Sequence, residues 1–217
     1  MTPADGPDLV VLAGGGSRRW GGTDKTAQAL GGVPVLVAVL ESALRGLDAC
    51  GSPRRVVVVA PAGHPARDAV QGRDLRGARL VWTLEDPPDG GPVAGIAAAL
   101  GAPTGPDGHG AAVAVVAGDA PFAGAALSRL VTALADGGHD AAVGVDGAGR
   151  RQLLFCARRE ALVEALRPGP DGAPPRAVHR LLGALDVVEV PLTERESLDL
   201  DHPADLVRAR ALLEPPG

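Results

Sequence analysis

Near its amino end the chain runs Leu9-Val10-Val11-Leu12-Ala13-Gly14-Gly15-Gly16-Ser17-Arg18-Arg19-Trp20-Gly21-Gly22-Thr23-Asp24-Lys25. Four apolar residues lead into three glycines, then two arginines, two more glycines and a lysine. A short apolar run bounded by glycine reads as a buried strand. Glycines let backbone N–H groups crowd around an anion with no Cβ in the way. Arg18, Arg19 and Lys25 place positive charge beside them, which is the chemistry of a polyphosphate cradle. Lys25 is the only lysine in the chain, in a sequence that uses arginine everywhere else. An ammonium and a guanidinium are not equivalent at a phosphate, so a lysine kept here points to a role for it.

Two common phosphate loops do not fit. Gly16 to Gly21 has the spacing of a Walker A loop, but Gly22-Thr23 stands where Lys-Ser/Thr is needed. A dinucleotide fingerprint needs a third glycine where Arg19 stands.

Outward from this stretch, strand and helix patterns alternate. Thr26 to Gly32 reads as an extended piece ending in a Gly-Gly turn, with Pro34 at a helix start and helical spacing from Val35 to Leu47. Val56 to Ala60 reads as a central parallel strand. A short helix over Pro65–Gln71, a strand over Arg79–Leu84 and a helix over Pro92–Leu100 follow. Then come a strand over Ala111–Ala117 and a helix over Ala125–Leu134. Strands over Asp140–Val145 and Gln152–Cys156 flank a turn at Asp146–Gly149. Helices over Arg159–Leu166, Ala177–Leu185 and Pro203–Leu213 and a strand over Val187–Val190 complete the chain. This alternation predicts an α/β fold in which a parallel sheet is covered on both sides, as a single domain over residues 1–217.

Composition narrows the function. At 217 residues the chain suits one domain with a real core. The net charge is −5 and no basic stripe appears, so nucleic acid is not an expected partner. Cys50 and Cys156 fit neither a disulfide framework nor a zinc site and read as buried thiols. Met1 to Asp8 carries no signal-peptide pattern and no apolar run is long enough to span a membrane, so a cytoplasmic protein without a membrane partner is expected. There is no tyrosine or asparagine, and Ile96 is the only isoleucine.

In open α/β sheets ligands bind beyond the carboxyl ends of strands. Three features fall there: the 14–25 loop, Glu85-Asp86, and Asp119 after the Ala111–Ala117 strand. Asp119 suits a Mg²⁺ ligand and equally a helix N-cap. Asp201 reads first as the cap of the helix opened by Pro203, and His202 as a surface residue. Asp86 reads equally as a solvated turn carboxylate. Arg150, Arg151, Arg158 and Arg159 read as solvated faces before they read as a phosphate site.

Leu12-Ala13-Gly14-Gly15, Arg19, Gly21-Gly22 and Asp24-Lys25 together resemble the loop of the molybdenum cofactor guanylyltransferase (MobA-like) family of nucleotidyltransferases, with Trp20 in place of the methionine usual there. Gly91-Pro92-Val93-Ala94-Gly95 resembles the family's G-P-L-A-G segment, which lines the nucleotide pocket. Ala117 to Phe122 resembles its metal-binding C-D-x-P-F segment, with Gly118 where cysteine is frequent. Asp199 to Leu206 resembles its N-x-N-T-P-E-D-L segment, both asparagines here being aspartates. Gln152-Leu153-Leu154 departs from the family's Gln-Pro-Leu, and Arg176, Val178 and Arg180 open a segment like its late basic helix.

The resemblance runs from Leu9 to about Leu213. It implies a Rossmann-like three-layer sandwich with a mainly parallel central sheet, of the nucleotide-diphospho-sugar transferase type. It implies transfer of GMP from GTP, or NMP from another NTP, to a molybdopterin-type phosphorylated acceptor, with release of pyrophosphate. A CTP-dependent or sugar-phosphate nucleotidyltransferase is the enzyme alternative, and an inactive nucleotide-binding module the non-enzyme one. The implied catalytic residues are Arg19, Lys25 and Asp119. The nucleotide would meet Leu12, Ala13, Gly14, Gly15, Lys25, Asp86, Gly91, Pro92, Gly95 and Asp119. Mg²⁺ would be held by Asp119 with Asp201 or Asp199.

Overall fold

A computed structural model describes residues 6–15, 20–104, 108–169 and 172–213. The apolar run at the start forms β1 (Asp8–Leu12), an interior strand, third from one edge, of a seven-stranded sheet. On one side it pairs in parallel with β4 (Arg55–Val59), Leu9 opposite Val56 and Leu12 opposite Val59. On the other it pairs in parallel with β6 (Ala112–Ala117), Leu12 opposite Ala117. Between β1 and β4 lie a small hairpin, β2 (Ala29–Leu30) and β3 (Val33–Pro34), and helix α1 (Val35–Leu47). After β4 come α2 (Arg67–Gln71), the edge strand β5 (Arg79–Thr83) and α3 (Gly91–Gly101). After β6 come α4 (Leu127–Gly137), β7 (Ala141–Val145), β8 (Arg151–Arg158), α5 (Arg159–Ala165), α6 (Val178–Gly183), β9 (Val187–Pro191) and α7 (Pro203–Ala211). The sheet order is β5-β4-β1-β6-β8-β7-β9.

Successive side chains of a strand point to opposite faces, and here both faces are covered. Leu9, Val11, Val56, Val58, Ala114 and Val116 meet α1, α2, α4 and α7. Val10, Val57, Val59, Val113 and Val115 meet α3, α5 and α6. This is the three-layer α/β sandwich expected, and it explains why β1, β4 and β6 read as unbroken valine-rich runs.

The sheet is mixed rather than all parallel. β8 runs antiparallel to both β6 and β7. The turn between β7 and β8 closes with Asp146 N–H to the Arg150 carbonyl at 3.0 Å and Gly149 N–H to the Asp146 carbonyl at 2.8 Å. A turn this short returns the chain as a hairpin, whereas a parallel neighbour needs a crossover of a dozen or more residues.

Smaller departures also have local causes. The piece expected to be extended over Thr26–Gly32 begins with a 3-10 turn, Lys25–Ala27, capped by Asp24. Pro34 is the N-cap of α1 rather than its first helical residue. No side chain of Asp201 caps α7; His202 is its N-cap, with the His202 N–H donating to Asp205 Oδ2 at 2.6 Å. Among the described residues no helix is long and apolar enough to cross a membrane.

Candidate active site

The carboxyl ends of β1, β4 and β6 open into a cavity of about 720 Å³. One wall is Leu12, Gly14 and Gly15 from the end of β1, with Lys25 and Thr26 beyond the loop. Facing it are Glu85, Asp89, Gly91, Pro92 and Gly95, and Ala117 and Asp119 close the β6 side. A cavity of similar size, about 730 Å³, lies between α1 and the 121–128 stretch, but no described residue of the three strand-end features lines it.

Lys25 is the electrostatic centre. Its ammonium is in direct contact with Asp119 Oδ2 and lies 3.5 Å from Asp201 Oδ1. Burial on its own would lower its pKa; the two carboxylates outweigh that and hold it above its ordinary value. The cation is therefore kept charged. The backbone brings these groups together from three places in the chain. Gly118 N–H donates to the Leu12 carbonyl at 2.8 Å, joining β6 to the end of β1, and Leu200 N–H donates to the Asp119 carbonyl at 3.0 Å. Leu198 and Leu200 are buried, which pins the intervening 199–201 segment beside Asp119. Trp20 adds a tie that methionine lacks: its indole N–H donates to the carbonyls of Leu200 at 3.3 Å and Asp201 at 3.1 Å.

Lys25 is presented by a short turn. Asp24 Oδ1 accepts from Thr26 N–H at 2.9 Å and from the Thr26 hydroxyl at 2.7 Å. The ring of His64, buried in the turn after β4, lies 2.8 Å by Nε2 from Thr26 Oγ1 and 3.1 Å from Asp24 Oδ2. Burial opposes ionisation of Asp24, but the hydrogen bonds from His64 and Thr26 prevail and hold its carboxyl down at about 2.

On the other wall the chain approaches closely only because side chains are absent. A Cβ on Gly14 would stand 3.1 Å from Glu85 Oε2, and one on Gly95 would stand 3.1 Å from Leu12 Cδ2 and 3.6 Å from Glu85 Oε2. Gly91 opens α3 with φ of +81°, a left-handed conformation that suits glycine. Burial, then the nearby Asp89, pushes the Glu85 carboxyl up.

Of the residues expected from sequence, Leu12, Gly14, Gly15, Lys25, Gly91, Pro92, Gly95 and Asp119 line this one cavity. Ala13 does not: it is buried, and its N–H is taken by the Val59 carbonyl at 2.9 Å. Asp86 is exposed and Glu85 holds the inward position instead. Arg18 and Arg19 lie outside the described residues. Thr26, Val59, Ala117 and Leu153 also line the cavity, although nothing in the sequence marks them as nucleotide contacts, and His64 behind Thr26 has no sequence signal at all.

Asp199 faces a smaller cavity of about 380 Å³ with Asp146, Arg150, Asp205 and Arg208. Desolvation, then Asp201 and Asp119, push its carboxyl up. The four arginines near β8 are not brought together. Arg150 pairs with Asp146, and Arg151 with Glu189. Arg158 reaches the His139 carbonyl at 2.9 Å, and Arg159 joins Arg55 on the buried Asp8 at the opposite end of β1. Arg176 and Arg180 border a groove with Arg167 and line neither cavity.

The arrangement can hold a polyanion against a fixed cation, with carboxylates beside it. Among the described residues no three His, Cys, Asp or Glu side chains form a ready-made metal cage. Asp119 and Asp201 nevertheless give two hard oxygen donors, and Mg²⁺ is characteristically held by one or two carboxylates together with substrate phosphates. The donor set therefore fits that ion.

Comparison with known proteins identifies the family. The profile of the MobA-like NTP transferase domain matches residues 9–187. A protein of Natronomonas pharaonis named probable molybdenum cofactor guanylyltransferase is 31% identical over 211 residues, covering 94% of this chain and 96% of that protein. The crystal structure of molybdopterin-guanine dinucleotide biosynthesis protein A from Archaeoglobus fulgidus has 27% identity and a TM-score of 0.65, covering 95% and 98% of the two chains. A 4-diphosphocytidyl-2C-methyl-D-erythritol synthase from Anaerococcus prevotii, at 14% identity, shares the fold with a TM-score of 0.71 over 97% and 99%. The architecture is that of the nucleotide-diphospho-sugar transferase type, and the chain belongs to the MobA-like NTP transferase family of nucleotidyltransferases.

Proposed function

We propose that the protein is a cytoplasmic, Mg²⁺-dependent guanylyltransferase that joins GMP from GTP to the phosphate of a molybdopterin-type acceptor. An acceptor phosphate oxygen bonds to the α-phosphorus, the bond from the α-phosphorus to the bridging oxygen breaks, and pyrophosphate leaves. The observation that carries this reading is Lys25 held against Asp119 in the cavity walled by Gly14, Gly15, Gly91 and Gly95. The relative of Natronomonas pharaonis, matched along nearly the whole chain, supports guanine and the molybdenum cofactor as substrates.

The backbone of Gly14 and Gly15 would meet the phosphates, with Lys25 neutralising charge that grows on the leaving pyrophosphate. Arg19 would add a second cation, as the family resemblance implies. Asp119 and Asp201 would hold Mg²⁺. Bound there, the ion supplies charge neutralisation at the phosphates. No protein nucleophile is required, since the acceptor brings its own phosphate oxygen.

Glu85 gives the base side a reader. Guanine carries a ring N–H and an adjacent amino group, two donors side by side, and a carboxylate accepts from both. Pyrophosphate release should be measured with GTP, CTP, ATP, UTP and ITP, with Mg²⁺ and a molybdopterin acceptor. GTP is expected to lead, and ITP, which lacks the amino group, to trail by roughly tenfold or more. CTP leading instead would give the cytidylyl reading. Release from none would leave a nucleotide-binding module.

A further inference from the structure

We propose that His64 is a positioning residue for nucleotidyl transfer: it holds the Asp24–Thr26 turn from behind, so that the Lys25 ammonium meets the triphosphate in one place. The inference rests on the reading of Lys25 as the cation of the triphosphate site. His64 itself does not line the cavity.

The hydrogen bonds form a closed set. Ala66 N–H donates to His64 Nδ1 at 3.1 Å, so Nδ1 is an acceptor and the ring proton sits on Nε2. That N–H points at Asp24 Oδ2, 3.1 Å away, and at Thr26 Oγ1, 2.8 Å away. The Thr26 hydroxyl gives its own proton to Asp24 Oδ1 at 2.7 Å, which leaves its lone pairs for the histidine. Both neighbours of Lys25 therefore end on one imidazole. The imidazole is itself fixed: its side chain is fully buried, the His64 backbone N–H donates to the Pro61 carbonyl at 3.0 Å, and the His64 carbonyl accepts from Arg67 N–H at 3.0 Å.

The turn needs such a hold. It is a 3-10 turn of three residues, Lys25–Ala27, flanked upstream by Gly21 and Gly22, whose φ angles are +64° and +85°. Short 3-10 pieces have weak hydrogen bonding of their own. The lysine ammonium sits at the end of a flexible four-carbon stem, so where it can reach is set by where the turn holds its Cα. Misplacing a catalytic group by about an ångström lowers rate on the order of a hundredfold.

Steady-state pyrophosphate release on the full-length protein tests this, with His64→Ala, His64→Gln and His64→Asn beside Lys25→Ala. A glutamine amide nitrogen reaches the place of Nε2, whereas an asparagine amide ends near Nδ1. His64→Ala is expected to lower kcat by on the order of tenfold to a hundredfold, with KM for the NTP moving far less. His64→Gln is expected to recover most of the loss and His64→Asn little of it. In a Lys25→Ala background the difference between glutamine and asparagine should vanish, because the residue they position is gone. Should the alanine variant fail to fold, the glutamine–asparagine pair carries the test. Equal rates in those two variants, a loss confined to KM, or a difference that persists without Lys25 would overturn the inference while leaving a slow Lys25→Ala to uphold the site. Parent-like turnover in Lys25→Ala would overturn both.

Discussion

Lys25 is the residue on which the charges of the site converge. Its ammonium touches Asp119 and faces Asp201. A guanidinium at this position is larger, and its planar fork calls for two oxygens in one plane. Lys25→Arg is therefore expected to lower kcat strongly, on the order of a hundredfold, with a smaller loss of NTP affinity because charge is retained. Kinetics against the parent enzyme checks this, and parent-like turnover would remove the argument from the lone lysine. Lys25 follows a glycine-rich loop and Asp119 an apolar strand end, and those surroundings make both legible in the sequence. The exchange of Asp86 for Glu85 is not legible there: which of two adjacent carboxylates turns inward depends on how the loop after β5 meets α3. Nor is His64, since its contact with Thr26 crosses 38 positions and no motif marks it. The capping expected of Asp201 fails because the Asp119–Leu200 backbone bond aims the following carboxylate at Lys25, leaving the cap to His202.

At the scale of elements, the packing of helices depends on close approaches that glycine permits. A Cβ on Gly46 would strike the Gly124 carbonyl, and one on Gly124 would strike the backbone of Ser42 and Ala43, so α1 packs directly on the 123–126 turn. Gly124→Ala is expected to destabilise the protein by about 1–3 kcal/mol. Gly63→Ala, where a Cβ meets nothing, should change stability little. Thermal unfolding of the two variants checks the contrast. The Lys25 turn has its own acid sensitivity. Asp24 titrates at about 2 folded against 3.8 ordinarily, so its ionised form stabilises the fold fully above 3.8 and that contribution is lost as pH falls toward 2. Asp24→Asn should flatten the fall in stability across that window, as read by unfolding at stepped pH. The valine-rich strands and the helices following them are legible because burial on both faces leaves an unmistakable run. The direction of β8 escapes such a reading of strand and helix alternation, although the short turn at Asp146–Gly149 carries the information.

For the whole molecule, three stretches distant in sequence, the loop after β1, the end of β6 and the 199–201 segment, meet at one end of the sheet. A nucleotide bound there would join all three and should raise the melting temperature with ligand concentration, as linkage requires. Mg²⁺ is expected to add to the protection in the parent protein, and Asp119→Asn to abolish the addition. Melting curves with GTP, with and without Mg²⁺, check both. Chemistry is tested most directly by following the label from GTP carrying radioactive phosphorus at either the α or the γ position, incubated with a molybdopterin acceptor and Mg²⁺. The α label is predicted to appear in a dinucleotide product while the γ label leaves as pyrophosphate. Transfer of the γ label to the acceptor, or no α label in any product, would contradict the account.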